Sequence, residues 1–149
     1  MSGAYFDTAY IVKCYVNEPG SREIRDLARS SESVASSSLC IAELSCVIHR
    51  KIREGTLSRQ DALTVREDFL EDIRADTWLL IPVSDRILHR VELLTRSLPE
   101  AMPLRTLDAI HIASLEENLL EMWTNDRHLL AAAAHLGLKG RQVQAGSRS

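Results

Sequence analysis

Short apolar runs of strand length alternate with amphipathic stretches of helical length along almost the whole chain. No other feature constrains the fold as much. A strand that must be followed by a helix before the next strand argues for a parallel α/β sheet covered by helices on both faces. Strands are expected at residues 4–7, 32–36, 78–83 and 122–125, with a short last one at 142–144. Trp78 and Trp123 fall in these runs and read as strand core residues. Helices are expected at 8–16, 21–29, 39–53, 58–73, 84–97, 103–118 and 126–136.

The punctuation supports these limits. Asn17-Glu18-Pro19-Gly20 is a loop signal. Ser36-Ser37-Ser38 offers an N-cap to the helix that Gly55 closes, and Ser58 and Ser84 cap the next two. Pro103 sits where a helix favours its first turn. Asp126 caps the last helix and Gly137 ends it. The chain has no repeat and no linker, so residues 1–144 read as one domain, with 145–149 as a disordered tail. A length of 149 residues suits one core.

Four acids interrupt this apolar pattern. Asp7 follows Ala4-Tyr5-Phe6, Glu43 sits in Leu39-Cys40-Ile41-Ala42-Glu43-Leu44, Asp108 in Leu107-Asp108-Ala109-Ile110, and Asp126 after Met122-Trp123-Thr124-Asn125. A carboxylate is rarely buried unless it is paired or holds a metal. Glu43 shares a helical stripe with Leu39 and Val47. Asp108 shares one with Leu104, Ile112, Leu115 and Leu119. Asp7 and Asp126 fall at the carboxyl ends of strands, where open α/β sheets bind ligands. Each acid alone is explained by a cap or a buried ion pair; together they point to one site assembled from distant segments. Most of the 21 acids read instead as solvated faces, as on the helix carrying Glu67, Asp68, Glu71 and Asp72.

Clustered carboxylates repel and raise one another's pKa, a conflict that a divalent cation removes. Oxygen ligands without thiolate or imidazole favour Mg²⁺ or Mn²⁺ over zinc. The four should then converge on a site able to hold ions ~4 Å apart. His111 and His128 form no zinc pattern and read as structural or surface residues. The three cysteines, Cys14, Cys40 and Cys46, form no C-x-x-C pair and read as reduced core residues in a reducing compartment. No basic leader precedes Asp7, and no apolar run reaches the ~20 residues of a membrane span. The net charge of −3 does not advertise a polyanion partner. A bound cation and local basic groups would have to supply that attraction; Arg50, Lys51, Arg53, Arg105 and Arg127 are candidates, Arg105 foremost.

The acidic motifs, in order, resemble those of the PIN-domain nucleases. Tyr5-Phe6-Asp7-Thr8-Ala9 is similar to the opening strand motif. Ser38-Leu39-Cys40-Ile41-Ala42-Glu43-Leu44 resembles the helix-borne Glu. Leu104-Arg105-Thr106-Leu107-Asp108-Ala109-Ile110-His111-Ile112-Ala113 resembles the third acidic motif, and Thr124-Asn125-Asp126-Arg127-His128-Leu129-Leu130 the fourth. Order, spacing and length together match the VapC-type toxins.

The resemblance implies a three-layer PIN-like fold, with a central parallel sheet of about four or five strands and strand one in the middle. It also implies a Mg²⁺- or Mn²⁺-dependent endoribonuclease that leaves a 5′-phosphate and a 3′-hydroxyl. It assigns metal binding and catalysis to Asp7, Glu43, Asp108 and Asp126, with Thr124 and Thr8 as supporting hydroxyls. Partners implied are RNA, a VapB-type antitoxin and a second copy of the chain, in the cytoplasm. The competing reading is a catalytically silent PIN-like module that binds RNA or protein. A haloacid-dehalogenase-type phosphatase would want a second Asp where Ala9 stands.

Overall fold

A computed structural model describes residues 3–144; the expectation of a disordered tail at 145–149 lies outside the described residues. Five strands and seven helices follow one another as β1 (Ala4–Phe6), α1 (Thr8–Tyr15), α2 (Ser21–Ser30), β2 (Val34–Ser37), α3 (Cys40–Arg53), α4 (Arg59–Arg74), β3 (Leu79–Ile81), α5 (Asp85–Ser97), α6 (Thr106–Asn118), β4 (Glu121–Trp123), α7 (Arg127–His135) and β5 (Gly140–Arg141). All strand pairs are parallel, in the order β3-β2-β1-β4-β5. The fold is thus the expected α/β one, with β1 central.

Alternation along β1 divides the core. Ala4 and Phe6 face a layer built from α1 to α4, with Tyr10, Ile11, Leu44, Ile48, Phe69 and Trp78. Tyr5 faces the opposite layer, formed by α5 to α7 through Ile87, Leu94, Ile112, Leu115, Leu129 and Ala132. A pleated strand sends successive side chains to opposite faces, so one three-residue strand anchors both layers. The chain builds β1, β2 and β3 outward in one direction, then returns to place β4 on the other side of β1. That reversal is the topological switch point at which such sheets open a crevice.

Several local expectations change. The last strand is Gly140–Arg141, paired with Met122 and Trp123, rather than 142–144. Residues 142–144 run past the sheet, where the Val143 amide is held by the Tyr10 hydroxyl at 2.9 Å. The helix expected from Pro103 starts at Thr106. A turn from Pro99 to Met102 (2.9 Å) precedes it, and half-buried Leu104 packs against the core in between. Ser36 and Ser37 are buried strand residues rather than caps, although the Ser37 hydroxyl does accept the Leu39 amide at 3.1 Å.

Leu119 leaves the Asp108 stripe. It closes α6 in the left-handed region (φ 51°) and is 83% exposed, because the helix has ended before its turn of the stripe arrives. Trp78 is buried just ahead of β3, and Trp123 is only half-buried, under the Arg141 guanidinium. Of the cysteines, Cys40 is buried, Cys14 half-buried and Cys46 exposed, so Cys46 is no core residue.

Candidate active site

Asp7 is the residue at which β1 becomes α1. Its Oδ1 caps the helix by accepting the Tyr10 amide at 3.0 Å. Its Oδ2 accepts the hydroxyl of Thr124, which is fully buried at the end of β4. The same hydroxyl oxygen accepts the Asp126 amide at 3.0 Å. Thr124 therefore ties the ends of the two central strands together. Asp126 caps α7 by accepting the amides of His128 (2.8 Å) and Leu129 (3.2 Å). Both strand-end acids are helix caps as well as site candidates.

Glu43 lies in the first turn of α3, half-buried. Its Oε1 accepts the Thr8 hydroxyl at 2.8 Å and Nε2 of His111 at 2.7 Å. Asp108 lies in the first turn of α6, also half-buried, and accepts no hydrogen bond among the described residues.

The electrostatics follow from this geometry. Burial raises the Asp7 pKa, helped by the charge of Asp126 and opposed by the bonds from Thr124 and Tyr10 and by the His111 charge. Burial raises that of Asp108 too, and the charges of Asp126 and Glu43 add to the effect against His111 and Arg105. Burial also pushes Glu43 upward, but the bond and charge of His111 and the Thr8 hydroxyl outweigh it, and its pKa is lowered.

All four acids line one cleft of about 280 Å³, with Thr8, His111, Lys13, Glu18, Arg50 and Lys51 around them. Glu43, Asp108 and Asp126 also line a neighbouring cleft with Arg105 and His128. The acids thus stand between two basic rims. On the first, Glu18 bridges Lys51 (2.6 Å) and Lys13 (3.3 Å). Arg53 and Arg127 line neither cleft.

The convergence expected from the sequence is incomplete. Among the described residues no three His, Cys, Asp or Glu side chains come together closely enough to hold a metal ion as they stand. Carboxylates on their own repel, a conflict that a bound cation would remove. The donor set itself fits a hard divalent cation: it offers carboxylate oxygens and no thiolate, and its one buried imidazole is engaged with Glu43.

His111 is a buried neighbour of Glu43, so of the two expectations for it the structural one holds, and its contact with a candidate site acid was not expected. The available signal was its position one turn after Asp108, on the same helix face. His128 is exposed, as one of the two expectations had it. Lys13 and Glu18 carry no local signal in the sequence, because only the tertiary fold brings the end of α1 and the loop after it beside α3.

Residues 4–136 match the PIN domain family, and the chain belongs to it. Among the solved structures that share its fold are the following three. One is VapBC2 from Rickettsia felis bound to a DNA fragment from their promoter, with a TM-score of 0.69 at 14% identity over 95% of this chain and 98% of that one. A toxin–antitoxin complex from Klebsiella pneumoniae aligns with a TM-score of 0.62 at 18% identity over 98% and 100%. FitAcB from Neisseria gonorrhoeae aligns with a TM-score of 0.66 at 15% identity over 92% and 95%. No curated protein matches the chain in sequence. No helix among the described residues is long and apolar enough to cross a membrane.

Proposed function

We propose that this chain is a Mg²⁺- or Mn²⁺-dependent endoribonuclease, the toxin of a VapBC-type toxin–antitoxin pair, with its nuclease unit spanning residues 1–144. One observation carries the reading. Four carboxylates from four separate segments line a single cleft at the carboxyl ends of the central strands, between two basic rims. PIN membership supports the nuclease class. The fold shared with toxin–antitoxin complexes supports a VapB-type antitoxin as partner. A homodimer and a cytoplasmic site of action belong to the same proposal.

Asp7, Asp108 and Asp126 are the residues to hold the ion, with Glu43 holding a second ion or orienting the attacking water. A bound ion would neutralise the phosphate, lower the pKa of a water and stabilise the leaving oxygen. The chain's own contribution is placement. Thr124 and the Tyr10 amide hold Asp7, Thr8 and His111 hold Glu43, and the α7 amides hold Asp126. Arg105 on one rim and Lys13, Arg50 and Lys51 on the other suit an RNA backbone running across the acids. Cleavage should leave a 5′-phosphate and a 3′-hydroxyl.

The alternative is a catalytically silent module that binds RNA or protein, and the incomplete convergence of the acids favours it. Titrating Mn²⁺ against thermal stability separates the two. A site that binds the ion gains about 2.7 kcal/mol at a concentration 100 times Kd, and Asp7→Asn should remove both that gain and RNA cleavage while leaving a folded protein. No stabilisation by Mn²⁺ or Mg²⁺, or full cleavage by the variant, would refute the nuclease reading.

A further inference from the structure

Glu43 is anchored through one of its two oxygens. Oε1 takes the Thr8 hydroxyl and His111 Nε2, and two donors occupy the lone pairs of a carboxylate oxygen. Among the described residues no hydrogen bond reaches Oε2. Oε2 is therefore the oxygen left to face the cleft that Glu43 lines.

His111 is itself fixed from behind. The Tyr5 phenol oxygen accepts the Ser37 amide at 3.1 Å, and His111 Nδ1 lies 2.6 Å from the same phenol. A phenol that accepts from Ser37 and donates to Nδ1 uses both of its roles. A neutral imidazole whose Nδ1 accepts carries its proton on Nε2, the atom that meets Glu43. The rings meet edge to face, with centroids 5.8 Å apart and an interplanar angle of 83°. Tyr5 and His111 are 0% and 2% exposed. The chain of bonds crosses the molecule, from the end of β2 through β1 and α6 to α3.

A buried imidazole can simply fill space. Here its outward nitrogen lands on a carboxylate that opens to the cleft, on the same oxygen that Thr8 engages from the helix capped by Asp7. We propose that His111 is a positioning residue for Glu43: together with Thr8 it saturates Oε1 and turns Oε2 into the cleft, while Tyr5 sets the imidazole tautomer that makes this possible. The proposal rests on the reading of Glu43 as part of a nuclease site.

The test has two arms on the full chain. The first reads the ring directly: in ¹⁵N NMR of the metal-free protein the neutral form of His111 should be the Nε2–H tautomer, and Tyr5→Phe should shift that form toward a mixture. An Nδ1–H tautomer in the wild type would overturn the proposal whether or not the protein cuts RNA. The second arm reads catalysis. His111→Ala should lower kcat by ~10–100-fold, the range for residues that orient site ligands, with KM nearly unchanged. His111→Gln, whose side-chain amide can still donate to Glu43, should recover most of that loss. In a Glu43→Gln background His111→Ala should cost nothing further; losses that multiply would show that His111 acts independently and would also overturn the proposal. If His111→Ala does not fold, the Gln and Tyr5→Phe variants carry the same comparison. A wild type that shows the expected tautomer but cleaves no RNA would sink the nuclease reading and leave the brace standing.

Discussion

The two sides of the cleft are built differently. On the β1 and α3 side, Asp7 and Glu43 are each held by two hydrogen bonds, and the atoms that hold them are largely buried. On the α6 side, Asp108 has no donor among the described residues and faces the charges of Asp126 and Glu43. Asp126 stands between the two cases, fixed at Oδ1 by its own helix. One side is preorganised by the chain. The other has no such support among the described residues, and it is the side that the proposed cation would organise.

The contrast can be broken most severely at Thr124. Thr124→Val keeps the shape but leaves Asp7 Oδ2 and the Asp126 amide without their common partner. It should cost about 1–3 kcal/mol by denaturant melts and lower cleavage by ~10–100-fold. Thr124 would be mere packing if both values stayed at wild type.

Asp126 separates capping from charge. Asn caps as well as Asp, so Asp126→Asn should change stability by only a few tenths of a kcal/mol while cleavage falls by ~10-fold or more. Ser84→Ala, which removes the cap of α5 far from the cleft, should do the reverse: about 1 kcal/mol of stability, and no change in rate.

The pH profile tests the same contrast by sign. Glu43 has a lowered pKa, so it contributes stability above its unfolded value and loses it as the pH falls through its folded value. Asp108 has a raised pKa, so its penalty is absent below the unfolded value and grows as the pH rises through the folded one. Metal-free Asp108→Asn should therefore melt higher than wild type at neutral pH and converge with it in acid. Glu43→Gln should melt lower at neutral pH and also converge in acid. Scanning calorimetry between about pH 3 and 7 reads both; an Asp108→Asn variant less stable at neutral pH would contradict the strained-side picture.

The smallest effect is expected on the rim. Arg105→Ala should reduce the slope of log K for single-stranded RNA against log salt by about 0.7. An unchanged slope would remove Arg105 from the RNA path.

Much of this was legible in the chain. Short apolar runs and period-3.6 stripes located four of the five strands and all seven helices, because burial leaves its pattern in the sequence; the exposed last strand, Gly140–Arg141, carries no such pattern and lies ahead of the expected 142–144. Asp7, Glu43, Asp108 and Asp126 were visible as charges where apolar residues belonged, and all four line one cleft. The errors fell where local signals compete with long-range ones. Pro103 carries a helix-start signal that packing of Leu104 overrides, and Leu119 carries a stripe signal that the end of α6 cancels.

The sequence by itself determined the layer architecture and singled out the four acids, since these follow from short-range periodicity and from the cost of burying charge; the central place of β1 came from the family resemblance. Only the tertiary structure decided which oxygen of each acid is engaged. His111 meets Glu43 68 positions away, and Thr124 meets Asp7 117 positions away. No periodicity records such a meeting. Strand order and the facing of Tyr5 toward α6 create it, and those are settled only when the sheet closes its core on both sides.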